Sequence, residues 1–136
     1  MVRRTGLVCA ISLISFVQAC QAPLNPSLRA VAGLYDLRMV VDPQPSSAPV
    51  SGRITLTSAG SAERRVSYRV DTVGTVHEYV TLGTYSVTDS LVRMTLHQLG
   101  QGQSFEIVAV HQSDGWLRIA SQGPADEPIV ELYAPH

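Results

Sequence analysis

From residue 33 onward the chain is built of short runs in which every second residue is apolar. Tyr35, Leu37, Met39 and Val41 share one parity, with Asp36 and Arg38 between them, and Ile54 and Leu56 alternate with Arg53 and Thr55. Val66, Tyr68 and Val70 stand against Arg65, Ser67 and Arg69, and Val92, Met94 and Leu96 against Arg93, Thr95 and His97. A period of two sends successive side chains to opposite faces of a strand, so each run has one dry face and one wet face. That is the pattern of antiparallel strands with a solvated side. It predicts strands over 33–41, 52–57, 65–70, 76–82, 84–88, 91–97, 104–111, 116–120 and 129–133. The phase changes inside the fourth and fifth of these runs: Val76, Val80 and Leu82 lie on one parity, Tyr85 and Val87 on the other, with Gly83 at the change. A bulge or bend is expected there, because glycine tolerates the backbone that a closing sheet needs.

Turn chemistry separates the runs. The segments 42–49, 58–61, 71–74, 89–90, 100–102, 113–115 and 123–126 are rich in Gly, Pro, Asp and Ser, and Asp114-Gly115 is the strongest hairpin signal among them. Beyond residue 30 no window keeps helical apolar spacing without a Gly or Pro interrupting it. Eight or nine short strands at hairpin spacing predict an all-β, up-and-down antiparallel barrel of about eight strands, since closure removes exposed edges.

The first nineteen residues do not share this pattern. Met1-Val2-Arg3-Arg4 is a short basic start, and 7–17 is an apolar run too short to span a bilayer. Val17-Gln18-Ala19-Cys20 follows, and it resembles the lipobox of bacterial lipoproteins, with Gln18 where a small or aliphatic residue is usual. The resemblance implies that 1–19 is a signal peptide and that Cys20 becomes an acylated N-terminus carrying palmitate-type chains as a membrane anchor. Gln21, rather than aspartate, after the cysteine implies the outer membrane, facing the periplasm. The alternative is an ordinary secretory peptide cut after Ala19 or Ala22, giving a secreted or periplasmic protein. Arg3-Arg4 also fits twin-arginine export. Residues 20–30, with Pro23 and Pro26, are expected to be a tether, leaving 31–136 as the folded domain.

Composition narrows the function. Of 136 residues 45% are hydrophobic and 15% charged, with ten basic against eleven acidic side chains, a net charge of −1. A near-neutral chain lacks the basic stripe that phosphate backbones require, so nucleic acid is not an expected partner. The two cysteines, Cys9 and Cys20, both precede the domain, which therefore has no disulfide framework.

The order of elements resembles the lipocalin-like domains of small bacterial envelope proteins, carried by Gly33-Leu34-Tyr35-Asp36-Leu37, residues 52–57, Gly83-Thr84-Tyr85-Ser86-Val87 and residues 91–96. In lipocalins proper a Gly-x-Trp opens the first strand and an arginine covers the tryptophan. Gly33 and Tyr35 fall in that pattern with tyrosine for tryptophan, and Arg118 is the arginine available to cover it. The resemblance implies an eight-stranded barrel that is either filled or holds one small apolar ligand. Tyr35, Met39, Tyr68, Tyr85, Phe105 and Trp116 are the candidate lining residues.

Catalytic signals are weak. His77, His97 and His111 are far apart, with no short metal-ligand spacing, although His97 and His111 fall on neighbouring predicted strands. There is no Gly-x-Ser-x-Gly elbow, and a Ser-x-x-Lys is excluded because the chain has no lysine. Asp114, Asp126 and Glu127 lie in turns, while Glu78 and Glu106 fit solvent-facing strand positions. No metal, cofactor or enzymatic activity is expected. The sequence points to a non-catalytic envelope lipoprotein that binds a small apolar or amphipathic ligand. The alternatives are a structural or protein-interaction lipoprotein, or a periplasmic hydrolase inhibitor acting through the proline-bearing loop from Asp42 to Pro49.

Overall fold

In a computed structural model, residues 25–41, 49–122 and 128–136 are described. The leader with Cys9 and Cys20, and most of the 42–49 loop, lie outside the described residues.

Eight antiparallel strands close into an up-and-down barrel: β1 (Gly33–Val41), β2 (Pro49–Leu56), β3 (Ser61–Arg69), β4 (Val76–Thr88), β5 (Leu91–Gln98), β6 (Ser104–His111), β7 (Leu117–Gln122) and β8 (Pro128–Pro135). Each strand pairs with the next, and β8 returns to β1 through pairs such as Leu37 with Tyr133 and Val40 with Glu131. The architecture expected from the alternation is the one observed, and it is compatible with a lipocalin-like barrel.

Two details depart from the sequence pattern. The runs over 76–82 and 84–88 are one strand, β4, paired without a register shift to both neighbours, so no bulge marks Gly83. Gly83 faces inward opposite Ala62 and Leu96, and a Cβ there would run into the main chain of Thr95 and Leu96. The glycine permits a close approach of two backbones rather than an extra residue. A real irregularity falls in β1, between Leu37 and Met39. One residue is accommodated there without a partner, so the strand changes face. Tyr35 and Leu37 point inward, but Met39 and Val41 end up on the outer surface, more than half exposed.

Chain termination at the N-terminal side is also different. The expected tether contains α1 (Pro26–Val31), a single helical stretch whose Asn25 side chain accepts from the Ser27 N–H at 3.0 Å, with Pro26 in the first turn. Six residues are too few to display an apolar stripe, which is why periodicity misses it. The helix lies over one end of the barrel, with Val31 buried and Leu28 packed against the core.

The interior is filled from that end. Ile54, Val92, Met94, Leu96, Leu117 and Tyr133 are essentially without solvent exposure. Burial of aliphatic side chains of this size stabilises the fold by roughly 1.5–3 kcal/mol each.

Candidate functional site

The barrel has two unlike ends. At the first, β1, β3, β5 and β7 begin, and α1 closes the opening. Tyr35 is buried and donates its hydroxyl to the Val31 carbonyl at 2.6 Å. Tyr85 is also buried, and its hydroxyl lies 2.8 Å from the Thr57 carbonyl and 3.1 Å from the Leu28 carbonyl. These two phenols stitch the helix to β1 and to the β2–β3 turn. Burial raises the pKa of both, with Tyr85 adding to the effect on Tyr35, so both stay neutral donors. The tight turns at this end use left-handed residues: Asp89 between β4 and β5 has φ 54°, and Gly115 between β6 and β7 has φ 88°. The Asp114-Gly115 hairpin signal is thus realised, with Asp114 accepting from the Trp116 N–H at 3.0 Å.

At the second end no helix intervenes among the described residues, and several of the large apolar side chains that remain exposed lie there. Val70, Val73 and Val76 surround the β3–β4 turn, Leu99 follows β5, and Phe105 opens β6; Val73 is 91% and Leu99 61% exposed. Exposed apolar side chains scattered singly need no explanation, but a group of them at one rim does. Inside this mouth Tyr68 and Tyr79 pack edge to face with centroids 5.9 Å apart. His77 pairs with Tyr68, and Phe105 shares the inner face with Leu96.

Below the mouth lies a buried ionic group. Arg64 Nη2 donates to both carboxylate oxygens of Glu131, at 2.8 and 3.0 Å, and the Tyr133 hydroxyl donates to the same carboxylate at 2.9 Å. Arg64 and Glu131 are 8% and 3% exposed, so this is an interior pair. Burial opposes the charge of Arg64, but Tyr133 and Glu131 beside it outweigh that and raise its pKa. Burial likewise raises Tyr133, keeping it a neutral donor. Gly52 makes this arrangement possible, because a Cβ would stand 3.0 Å from the Tyr133 hydroxyl and 3.2 Å from Val66. The Nε of Arg64 is buried and has no hydrogen-bond partner.

The six candidate lining residues are therefore not brought together. Tyr35, Tyr85 and Trp116 belong to the closed end, where the first two are occupied in holding the helix. Tyr68 and Phe105 reach the open mouth. Met39 stands outside the wall, turned outward by the β1 irregularity. Arg118 pairs with Val110 and Leu132, on the face opposite to Leu117 and Ile119, and so covers no barrel end. His97 pairs with Ser104 near the open end while His111 pairs with Leu117 at the closed end, so the two histidines do not face each other.

The buried Arg64, Glu131 and Tyr133 cluster was missed by sequence reasoning, though a signal existed. Arg64 has the parity of Val66 and Tyr68, and Glu131 that of Ile129 and Tyr133. Among the described residues no group of three or more His, Cys, Asp or Glu side chains is placed to hold a metal ion, and no helix is long and apolar enough to cross a membrane. Comparison with protein-family models, curated proteins and solved structures finds no match.

Proposed function

We propose that this is a lipid-anchored, non-catalytic envelope protein whose open barrel mouth holds an amphipathic small molecule by its acyl chain. The observation that carries the reading is the grouping of the exposed Val70, Val73, Val76, Leu99 and Phe105 at one rim, beside the edge-to-face pair of Tyr68 and Tyr79. The packed interior limits the site to the mouth, so the ligand lies across Tyr68, Tyr79 and Phe105 rather than deep in the barrel. A carbon chain there gains about 0.8 kcal/mol for each methylene removed from water.

Anchorage through Cys20 fits this orientation. Asn25 begins the helix at the closed end, and five residues reach at most about 18 Å, so acyl chains on Cys20 hold the closed end toward the lipid and the mouth away from it. The rim then meets molecules arriving from the aqueous side.

Native mass spectrometry of the full-length protein purified from membranes tests both parts. The expected spectrum shows acyl mass on Cys20, a mature chain beginning there, and a retained ligand of lipid mass that is lost in a Val73→Ser/Leu99→Ser/Phe105→Ser variant. A mature chain starting beyond Cys20 without acyl mass ends the anchoring claim. Failure of a fluorescent palmitoyl probe to bind the wild type better than that variant ends the ligand claim.

A further inference from the structure

A closed barrel has no free strand edge, yet the seam between β1 and β2 is zipped for only part of its length. Four residue pairs join the two strands: Gly33 with Leu56, Leu34 with Thr55, Tyr35 with Ile54 and Asp36 with Arg53. Past that point, among the described residues, Leu37, Met39, Val40 and Val41 pair only with β8, and Pro49, Ser51 and Gly52 pair only with β3. Both strands carry a register shift here, between Leu37 and Met39 in β1 and between Pro49 and Ser51 in β2. The facing edges of these two segments thus have main-chain N–H and C=O groups with no strand partner among the described residues.

A groove of about 420 Å³ lies at the parting, bordered by Arg38, Val50, Ser51, Arg53 and Arg65. Its charges are unevenly matched. Asp36 is held by Arg53 at 2.7 Å and by His136 at 2.8 Å, and Glu78 lies 3.4 Å from Arg65. Arg38 is in no ion pair among the described residues, and it is solvent-exposed. Among the described residues the groove therefore offers two rows of main-chain donors and acceptors and one guanidinium, that of Arg38, outside the ion pairs.

We infer that this seam accepts an extended segment of a partner protein, four or five residues long, with a carboxylate side chain opposite Arg38. Only a polypeptide backbone supplies alternating donors and acceptors to both rows, and a strand of that length spans roughly 13–17 Å. Because β1 and β2 are antiparallel, the segment runs antiparallel to one and parallel to the other. Pro49 and the two register shifts keep the open edges short, which restricts the site to a short segment and discourages indiscriminate edge pairing. The inference does not rest on the ligand at the mouth.

The test uses a displayed library of random nine-residue peptides selected on the full-length protein in detergent micelles, with the best binders then synthesised. Selected peptides are expected to carry Asp or Glu among β-branched residues. Their binding should shift the amide resonances of residues 37–41 and 50–52 and slow hydrogen exchange there at least tenfold. Arg38→Glu, an exposed change that leaves the remaining amide spectrum intact, should weaken the acidic peptides at least tenfold and favour versions with Lys in place of the acid. A library that yields no binder perturbing these amides overturns the inference, as does perturbation confined to the rim around Val73 and Leu99. Concentration-dependent protection of the same amides without peptide also overturns it, since it makes a second copy of the chain the occupant.

Discussion

The two ends of the barrel differ: one is closed by a packed helix, and at the other the described residues provide no covering element and leave apolar side chains exposed. At the closed end Tyr35 and Tyr85 each have a ring in the core and a hydroxyl on a main-chain carbonyl, so the aromatic groups are consumed by structure. At the other end Tyr68, Tyr79 and Phe105 have no such duty among the described residues, and Phe105 remains 43% exposed. The difference teaches that aromatic content alone does not mark a binding site in a barrel this small. What matters is whether a covering element has already taken the surface, and at the closed end six residues ahead of β1 do so.

Four measurements would break or sharpen this contrast. The largest effect is expected at the ionic group beneath the mouth. Glu131→Ala leaves the Arg64 charge buried without its carboxylate, which should cost about 3–5 kcal/mol in denaturant unfolding, whereas Arg64→Leu with Glu131→Leu should recover most of that loss. A Glu131→Ala loss below about 1 kcal/mol would mean that water reaches the pair, and that the mouth is deeper than the packing indicates.

Next is the closed end itself. Tyr85→Phe keeps the ring but removes the donor shared by the Thr57 and Leu28 carbonyls, and a loss of about 1 kcal/mol is expected. Hydrogen exchange should accelerate in α1, at the Leu28 and Ala32 amides, before it does in the strands. Equal acceleration everywhere would show that the helix is not a separate cover.

A smaller effect concerns the clasp beside the closed end. Arg53 first, and then His136, hydrogen-bond the Asp36 carboxyl and hold its pKa at about 2. Because the folded value lies below the usual carboxylate value of about 3.9, the clasp stabilises the fold fully above that value and loses its contribution as pH falls toward 2. Asp36→Asn should therefore lower the thermal midpoint slightly at pH 6 and by clearly less at pH 2. A difference as large at pH 2 as at pH 6 would assign the effect to packing. The smallest change in stability is expected at the rim, where Val73→Ser and Leu99→Ser should alter unfolding by no more than about 0.5 kcal/mol, while binding of a palmitoyl probe falls. A larger destabilisation would show that the rim is structural and dissolve the contrast.

The alternation of Ile54 and Leu56, of Val66 and Tyr68, and of Val92, Met94 and Leu96 was enough to identify the strands and the class, because a period of two has one physical cause. The same rule failed for Met39, since a single unpartnered residue in β1 reverses the face without changing the pattern. It also passed over Arg64 and Glu131, whose parity pointed inward while their charge argued for water.

Local pattern and turn chemistry thus determined, from the amino acids alone, that the domain is an antiparallel barrel with a hairpin at Asp114-Gly115. Only the tertiary structure decided which end is covered, which tyrosines are spent on that cover, and where β1 and β2 part. Those outcomes depend on contacts between residues distant in the chain, such as Tyr85 with Leu28 and Arg64 with Glu131, and no local period encodes them.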